Sequence, residues 1–305
     1  MSSFSFSEHI DGLIIQNIGH QLMDTKSYQD LRSFLMTCRH VYQEGMLLLQ
    51  EAHQQWLFDY NHRPPIVCGE MQEWRDSQGL LHRDLDLPAI MVPNQRQEWY
   101  YHGQLHREGD RPASIHTDQQ EYWVHGKLHR DGDQPARILA TGVQIWFQEG
   151  LCHREGDRPA VIWADGTQQW YHQGKRHRDG DRPAYWRPPG TQMGPWSLQE
   201  WWTEGQRHRD GDLPAVISSN GNQMWYSHGQ KHRDGDQPAI IDADGSREWW
   251  KHGRHHREGD RPAIIKTNGT QEWFVNGRHH RDNGQPAVIH PDGHQEFWTN
   301  GKRNT

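Results

Sequence analysis

One stretch organises the chain: Gly253-Arg254-His255-His256-Arg257-Glu258-Gly259-Asp260-Arg261-Pro262-Ala263-Ile264-Ile265. Near-copies of it recur from Leu81 almost to the last residue. The histidine of each His-Arg pair marks one copy, giving His82, His106, His129, His153, His177, His208, His232, His256 and His280. These markers lie 24, 23, 24, 24, 31, 24, 24 and 24 residues apart. Such a period indicates a repeat array, in which each unit buries its apolar side by stacking on its neighbours.

The residues around this stretch predict β-hairpins. The pair Trp249-Trp250 precedes it, and a turn-forming Asn268-Gly269 follows its aliphatic end. Equivalent pairs, which suit tight two-residue hairpin turns, are Asp165-Gly166, Asn220-Gly221, Asp244-Gly245 and Asp292-Gly293. We therefore expect two short strands in each unit, one aromatic and one aliphatic. The predicted fold is mainly β: an elongated single ribbon of stacked antiparallel hairpins.

Proline and glycine mark fixed points within each unit. Proline is tolerated at the first residue of a strand, so Pro-Ala should begin each aliphatic strand. The glycine that ends the turn after each aromatic pair should need a positive φ. These glycines are Gly79, Gly103, Gly126, Gly150, Gly174, Gly205, Gly229, Gly253, Gly277 and Gly301.

Adjacent aromatic residues in a strand point to opposite faces, so the repeated pairs should form two columns. The first column is Trp99, Tyr122, Trp146, Trp170, Trp201, Trp225, Trp249, Trp273 and Phe297. The second is Tyr100, Trp123, Phe147, Tyr171, Trp202, Tyr226, Trp250, Phe274 and Trp298. One column should pack in the core, and the other, half exposed, is the candidate binding surface. The alternative is that both columns only stiffen the sheet. The site prediction takes the second column as partner-binding.

The 31-residue interval between His177 and His208 contains an insertion near residues 187–196. Insertions in repeat arrays fall in loops, so we place it in the turn between two strands. It is either a contact loop or a tolerated bulge.

Residues 1–60 lack the repeat and show helical periodicity. Apolar residues fall on one helical face, and two capping-box spacings precede them. Three short amphipathic helices are expected, and Arg63-Pro64-Pro65 should end this module. The predicted domains are therefore a helical module at 1–60 and a repeat array at 61–305.

The N-terminal segment resembles the F-box. The resemblance rests on Ile10-Asp11-Gly12-Leu13-Ile14-Ile15-Gln16-Asn17-Ile18, on residues 27–35, and on Met36-Thr37-Cys38-Arg39-His40-Val41-Tyr42. F-box proteins are three-helix adaptors that dock a Skp-type linker of cullin-RING ubiquitin ligases. The resemblance implies a partner-binding face formed by Ile10, Leu13, Ile14, Ile18, Leu31, Leu35 and Cys38. The alternative is a helical cap that seals the first repeat.

The array resembles the MORN repeat. The clearest copies of that pattern are Gly174-Lys175-Arg176-His177, and Asp165-Gly166 followed by Trp170-Tyr171. The chain differs in carrying Arg after the histidine and in its Asp-x-Pro-Ala box. It is most similar to the MORN-variant arrays that follow F-box-like segments in proteins of large DNA viruses of protists. The resemblance implies stacked hairpins that act in protein association.

Charge and composition exclude several classes of function. Net charge is −7, and residues 1–60, with three basic and seven acidic residues, carry −4 of it. The remaining −3 over the repeats argues against a nucleic-acid partner and gives no support to a membrane partner. The three cysteines show no zinc or disulfide spacing, and no apolar run is long enough to span a membrane. We expect a soluble intracellular protein, in the host cytoplasm if it is viral, with the virion also possible.

The repeated polar residues indicate structural roles. His82-Arg83-Asp84-Leu85 matches a kinase catalytic loop only through the repeat, since no Gly-rich phosphate loop accompanies it. Corners such as Asp131-Gly132-Asp133 should join an Arg-to-Asp network between units, in preference to binding calcium. Each repeat histidine should hydrogen-bond a neighbouring turn. We expect no enzyme activity, no cofactor and no metal.

These features favour a non-enzymatic protein-interaction adaptor. The F-box-like module would dock a Skp-type linker while the ribbon binds a target protein. The alternative is a viral structural or scaffold protein whose ribbon mediates assembly by self-association.

Overall fold

A computed structural model of the protein describes residues 65–304, which form 38 short β-strands and no helix within that range. The first are β1 (Ile66–Cys68), β2 (Met71–Glu73), β3 (Ile90–Val92), β4 (Arg96–Glu98), β5 (Tyr100–Tyr101), β6 (Gln104–Leu105), β7 (Ser114–His116), β8 (Gln119–Glu121), β9 (Trp123–Val124), β10 (Lys127–Leu128), β11 (Arg137–Leu139), β12 (Gln144–Ile145) and β13 (Phe147–Gln148). Next come β14 (Leu151–Cys152), β15 (Val161–Ile162), β16 (Gln168–Gln169), β17 (Tyr171–His172), β18 (Lys175–Arg176), β19 (Tyr185–Arg187), β20 (Leu198–Glu200), β21 (Trp202–Thr203), β22 (Gln206–Arg207), β23 (Val216–Ser218), β24 (Gln223–Met224), β25 (Tyr226–Ser227) and β26 (Gln230–Lys231). The last are β27 (Ile240–Ile241), β28 (Arg247–Glu248), β29 (Trp250–Lys251), β30 (Arg254–His255), β31 (Ile264–Ile265), β32 (Gln271–Glu272), β33 (Phe274–Val275), β34 (Arg278–His279), β35 (Val288–Ile289), β36 (Gln295–Glu296), β37 (Trp298–Thr299) and β38 (Lys302–Arg303).

Twenty strands form one antiparallel sheet, and the others form nine two-stranded sheets. Within the large sheet, each strand pairs with the next member along the chain, from β1–β2 and β2–β3 through to β35–β36. A sheet hairpin, such as β15–β16, alternates with a side hairpin, such as β17–β18. The predicted antiparallel hairpin ribbon is thus confirmed, but one unit has four strands where two were expected.

The extra strands arise because the chain changes partners at the first aromatic residue of each pair. Trp249 donates its N–H to the carbonyl of Ala263 in the next sheet hairpin, at 2.8 Å. The Trp249 carbonyl accepts from the N–H of His256 in the side hairpin, at 3.1 Å. One residue therefore joins both ladders, and the predicted aromatic strand is divided there into β28 and β29.

The two kinds of hairpin use different turns. The Asx-Gly pairs were predicted as two-residue turns, and this is wrong. Trp163 donates to the carbonyl of Thr167 at 2.9 Å, so the loop has three residues, with Gly166 at a φ of 84°. This is the loop type in which a left-handed residue adds a bulge. The side hairpins have two-residue turns, and in one of them His252 and Gly253 have φ values of 47° and 75°. The turn glycines predicted to need positive φ all have it.

The core consists of the first aromatic column, the alanines of the Pro-Ala boxes and the apolar residues that follow many of these alanines, such as Ile240 and Ile264. The alanines have no exposed surface; they are Ala89, Ala113, Ala136, Ala160, Ala184, Ala215, Ala239, Ala263 and Ala287. We call the buried aromatics the inner aromatic row; they are Trp74, Trp99, Tyr122, Trp146, Trp170, Trp201, Trp225, Trp249 and Trp273. Phe297, predicted in this column, is 38% exposed because no further unit covers it within the described range.

Arginine links successive units through the corners. Arg178 donates from Nε and Nη2 to both carboxylate oxygens of Asp157 in the preceding unit, at 2.7 and 3.0 Å, and its guanidinium lies 3.9 Å over Trp170. Its hydrogen bonds hold the pKa of Asp157 below the usual range. Arg107, Arg130, Arg154, Arg209, Arg233, Arg257 and Arg281 make equivalent ion pairs. The predicted Arg-to-Asp network is therefore confirmed, and bidentate pairs of this kind are among the stronger polar contacts in proteins.

The repeat histidines also join units. His129 Nδ1 accepts the backbone N–H of Glu149 in the next turn, at 3.2 Å, and Nε2 lies 3.1 Å from Asp131. The predicted contact between each histidine and a neighbouring turn is confirmed at this junction. It fixes the neutral tautomer with its proton on Nε2, because Nδ1 is used as an acceptor.

The insertion lies in the turn between β19 and β20, as predicted. Arg187 closes this loop by donating to the carbonyls of Met193 and Trp196, at 3.1 Å each. The side chains of Met193 and Trp196 are both at least half exposed.

No helix among residues 65–304 is long and apolar enough to cross a membrane. The predicted helical module at 1–60 lies outside the described residues.

Candidate interaction surface

The second aromatic column runs along one face of the ribbon, and we call it the outer aromatic row. All nine members are half-buried: Tyr100, Trp123, Phe147, Tyr171, Trp202, Tyr226, Trp250, Phe274 and Trp298. Each begins the first strand of a side hairpin, as Trp250 begins β29. The structure therefore brings all the sequence-predicted residues of this column together on one surface, and it assigns the first column to the core.

Eight of the outer aromatic residues pair across their side hairpins with the residue that directly precedes a repeat histidine, and Trp298 pairs with Arg303, the equivalent residue before Asn304. We call these residues the pre-histidine column; they are Leu105, Leu128, Cys152, Arg176, Arg207, Lys231, His255, His279 and Arg303. Sequence reasoning missed this column. The signal that could have found it is the position immediately before each His-Arg pair, read down the repeats.

The character of the pre-histidine column changes along the ribbon. In the first units it is apolar, and Leu128 is only 7% exposed. From Arg176 onwards every member is basic or histidine. Arg207 lies 4.9 Å from the ring of Trp202 and 5.5 Å from that of Tyr226, which are cation–π distances. The surface is therefore aliphatic and aromatic at one end, and cationic and aromatic at the other.

Towards the end of the ribbon the side chains form a continuous stack. The ring of His255 lies 3.7 Å from that of Trp250 and 4.9 Å from that of Phe274. The stack continues from Phe274 to His279 at 4.0 Å, and from His279 to Trp298 at 5.3 Å. Ring contacts at these distances restrict side-chain rotation, so this part of the surface is ordered before any partner arrives.

A row of glutamates on the sheet fixes the outer aromatic residues from below. We call it the carboxylate row: Glu98, Glu121, Glu200, Glu248, Glu272 and Glu296. The indole N–H of Trp250 donates to Glu248 at 2.8 Å, and that of Trp123 donates to Glu121 at 3.0 Å. Each such bond fixes the plane of an aromatic ring, because an indole or phenol donor must reach its acceptor. Sequence reasoning also missed this role of the glutamates.

Electrostatics keep Glu98 and Glu272 of the carboxylate row ionised. Burial alone would raise the pKa of Glu98, but hydrogen bonds and charge from Arg96 hold it below its usual range. Burial, followed by the charge of Glu98, raises the pKa of Tyr100 to about 12. The hydrogen bond from His279 lowers the pKa of Glu272 to about 2. These glutamates therefore act as anionic acceptors that hold aromatic donors and cations in place.

The opposite face of the sheet has different chemistry. Its aliphatic side chains alternate across the strands with amides: Ile217, for example, pairs with Gln199 and Gln223. We call it the Ile–Gln face; it comprises Met91, Gln97, Ile115, Gln120, Ile138, Gln144, Ile162, Gln168, Trp186, Gln199, Ile217, Gln223, Ile241, Arg247, Ile265, Gln271, Ile289 and Gln295. None of these side chains is buried, and all but Arg247 are uncharged.

The corners use their polar groups within the protein. In Asp234-Gly235-Asp236, the first carboxylate lies 3.2 Å from His232 Nε2 and the second accepts from Arg257.

The predicted F-box-like binding face lies outside the described residues, so it stays a prediction; its residues are Ile10, Leu13, Ile14, Ile18, Leu31, Leu35 and Cys38. What the described surface offers is contact chemistry, through ordered rings, cations and carboxylates.

No protein-family model matches the chain, and no curated protein is similar enough to count as a relative.

Proposed function

We propose that this protein is a non-enzymatic interaction adaptor. Its ribbon binds a target protein along the outer aromatic row, and its F-box-like residues 1–60 dock a Skp-type linker of a ubiquitin ligase. The observation that carries the proposal is a row of nine half-buried aromatic side chains on one face, of which most are held by hydrogen bonds or ring contacts. Ordered aromatic residues of this kind supply much of the energy of protein interfaces at small entropic cost.

The change along the pre-histidine column suggests the chemistry of the target. Leu105 offers an aliphatic contact, whereas Arg207 and Lys231 offer cations beside aromatic rings. The surface therefore suits an extended segment that is apolar at one end and carries carboxylates or aromatic groups at the other. MORN-like repeats, which this array resembles, are built to present such elongated surfaces.

The adaptor proposal is tested first at the linker. Full-length protein is mixed with a purified Skp-type linker, and co-purification of the linker is measured. Wild type is compared with a combined variant that carries Leu13→Ala, Ile14→Ala and Leu31→Ala. We expect the linker to bind wild type and to be lost from the combined variant. A variant that changes only the outer aromatic row, Trp202→Ser with Trp250→Ser, should keep it. If wild type fails to bind, or if the combined variant binds equally, residues 1–60 only cap the array.

Target binding is tested on the ribbon. Proteins crosslinked in cells to wild type are compared with those crosslinked to Trp202→Ser/Trp250→Ser. The matched control is Gln199→Ser/Gln223→Ser, in the same region of the opposite face. We expect the aromatic variant to lose the target and the control to keep it. Thermal unfolding of all three proteins separates loss of contact from loss of fold: equal losses of stability and binding would contradict the proposal.

The Ile–Gln face favours a second candidate, a viral structural or scaffold protein whose ribbons assemble face to face. Twenty strands about 4.8 Å apart, each presenting a width of about 10 Å, give an area on the order of 900 Å² per copy, which reaches the size of a stable interface. A second copy has the same period, and Arg247 is the one charged side chain that this face carries among the described residues. Light scattering should then show a dimer for wild type and a monomer for Ile217→Lys/Ile241→Lys. A wild-type monomer at micromolar concentration would remove this candidate.

A further inference from the structure

The last sheet hairpin carries a pair of histidines across its turn. His290 donates its backbone N–H to the carbonyl of His294 at 2.9 Å, and Gly293 closes the loop with a φ of 85°. Residues opposite each other in an antiparallel hairpin have side chains on the same face. Glu296 lies two residues after His294 and so shares that face. Two imidazoles and one carboxylate thus converge at one end of the ribbon.

The distances between these groups suit a metal ion. His290 Nε2 lies 3.1 Å from Glu296 Oε1. One ligand atom from each of His290, His294 and Glu296 lies within 4.8 Å of the other two, and among residues 65–304 this is the one group of three with that property. Tetrahedral zinc with bonds of about 2.0–2.2 Å places its ligand atoms about 3.4 Å apart. His290 Nε2 and Glu296 Oε1 are already within about 0.3 Å of this separation, and His294, an exposed side chain, can rotate to complete the site.

The position of the cluster in the array leaves it accessible. In the preceding unit the equivalents of the two histidines are Lys266 and Thr270, and Thr270 is 4% exposed because the next hairpin covers it. His294 is exposed, since no strand lies beyond β36 in the sheet among the described residues. An ion held there would keep a coordination position open to solvent.

The two carboxylate oxygens of Glu296 have different partners. The indole N–H of Trp298 donates to Oε2 at 3.0 Å, and Arg303 Nε lies 3.7 Å from the same atom. Oε1 is therefore the oxygen directed at His290. The hydrogen bond from Trp298 orients the carboxylate through its second oxygen, which is typical of metal centres and increases affinity for the ion, whereas the charge of Arg303 opposes a cation at the same carboxylate.

We propose that His290, His294 and Glu296 bind a divalent transition-metal ion of the zinc type, with a fourth position occupied by water. Two imidazoles and one carboxylate are a donor set that zinc accepts readily. This revises the sequence-based expectation of no metal. The His-x-x-x-His spacing was visible there, but it was hidden among 24 histidines that recur for structural reasons.

The test is a zinc titration of the full-length chain after removal of metals with a chelator, using a chromophoric chelator as competitor for Zn²⁺. We expect one zinc ion bound above the weak background of the other histidines. His294→Asn and Glu296→Gln should each lower its affinity at least about tenfold. Co²⁺ in place of Zn²⁺ should give the visible absorption of a tetrahedral site in wild type and lose it in both variants.

The matched control is His116→Asn. His116 stands at the equivalent strand position in an earlier unit and lies 3.2 Å from Glu98, but Gln119 faces it across the turn. This variant should bind zinc as wild type does. Unfolding without metal should be the same for wild type and His294→Asn, because His294 is exposed. Equal zinc binding by His294→Asn and wild type, or a wild type with no site above background, would overturn the proposal.

Discussion

The first units of the array and the later ones have the same frame but different outer surfaces. In both parts an arginine bridges two corners and lies over an inner tryptophan, at 3.8 Å for Arg154 and 3.7 Å for Arg257. The residues beside the outer aromatic row differ, from Leu128 in one part to His255 in the other. Because the frame carries the stability, the pre-histidine column can vary in chemistry without changing the fold.

The largest effect should come from breaking the frame. Arg154→Ala and Arg257→Ala each remove a bidentate ion pair and a cation–π contact, and each leaves a corner aspartate with one arginine fewer. We expect the free energy of unfolding to fall by about 3 kcal/mol for each variant. Urea unfolding of the two proteins measures this. A clear difference between them would show that the two parts do not share one frame.

The second expectation contrasts matched positions of the pre-histidine column. Leu128→Ala removes a buried aliphatic side chain and should cost about 2 kcal/mol. Arg207→Ala removes a side chain that is 36% exposed, and it should cost less than about 1 kcal/mol. The same urea experiment compares them. Equal costs would mean that the cationic part of the column is also structural, and not free for binding.

Much of this frame could be predicted from the sequence. The Pro-Ala boxes locate the sheet strands, and the turn glycines locate the side hairpins. Alternation predicted two aromatic columns, and the alanine opposite each inner ring explains which column is buried: Trp249, for example, bonds the backbone of Ala263, which has no exposed surface. These features follow from local rules that every repeat obeys.

The features of the fold and of the surface that could not be predicted depend on contacts between units, which no single repeat contains. The division of the aromatic strand at Trp249 requires partners in two different hairpins. The role of Glu248 becomes visible only when Trp250 and His255 are both placed beside it. Periodicity also conceals the exceptions: His294 is exposed only because it lies in the last sheet hairpin that the structure describes.

The third expectation concerns acid stability in the cationic part. Glu272 has a folded-state pKa of about 2, below its ordinary value of 4.5, chiefly because His279 hydrogen-bonds it. A carboxyl with a lowered pKa stabilises the fold above its unfolded pKa and loses that contribution as pH falls from about 5 towards 2. Glu272→Gln should therefore be less stable than wild type by about 1 to 2 kcal/mol at pH 6, with the gap clearly narrower at pH 3 and closing only towards pH 2.

Unfolding measured at several pH values tests this, with Gln169→Ala as the control. Gln169 occupies the equivalent position in an earlier unit and does not titrate. Its cost should be the same at pH 6 and pH 3. A gap for Glu272→Gln that stays constant with pH would show that the hydrogen bond from His279 to the ionised carboxylate contributes nothing.

The smallest effect should appear where the cationic column meets the proposed zinc ligands. Arg303 ends that column, is more than half exposed, and lies 3.7 Å from Glu296. Its charge competes with a cation for the same carboxylate, although solvent screens most of the repulsion. Arg303→Gln should therefore tighten zinc binding about threefold, with the stability of the metal-free protein unchanged. Arg207→Gln, which changes the equivalent position four units earlier in the chain, is the control and should leave zinc affinity as it is. Weaker zinc binding by Arg303→Gln would mean that this arginine orients Glu296 for the ion, and that the basic end of the column supports the metal site instead of opposing it.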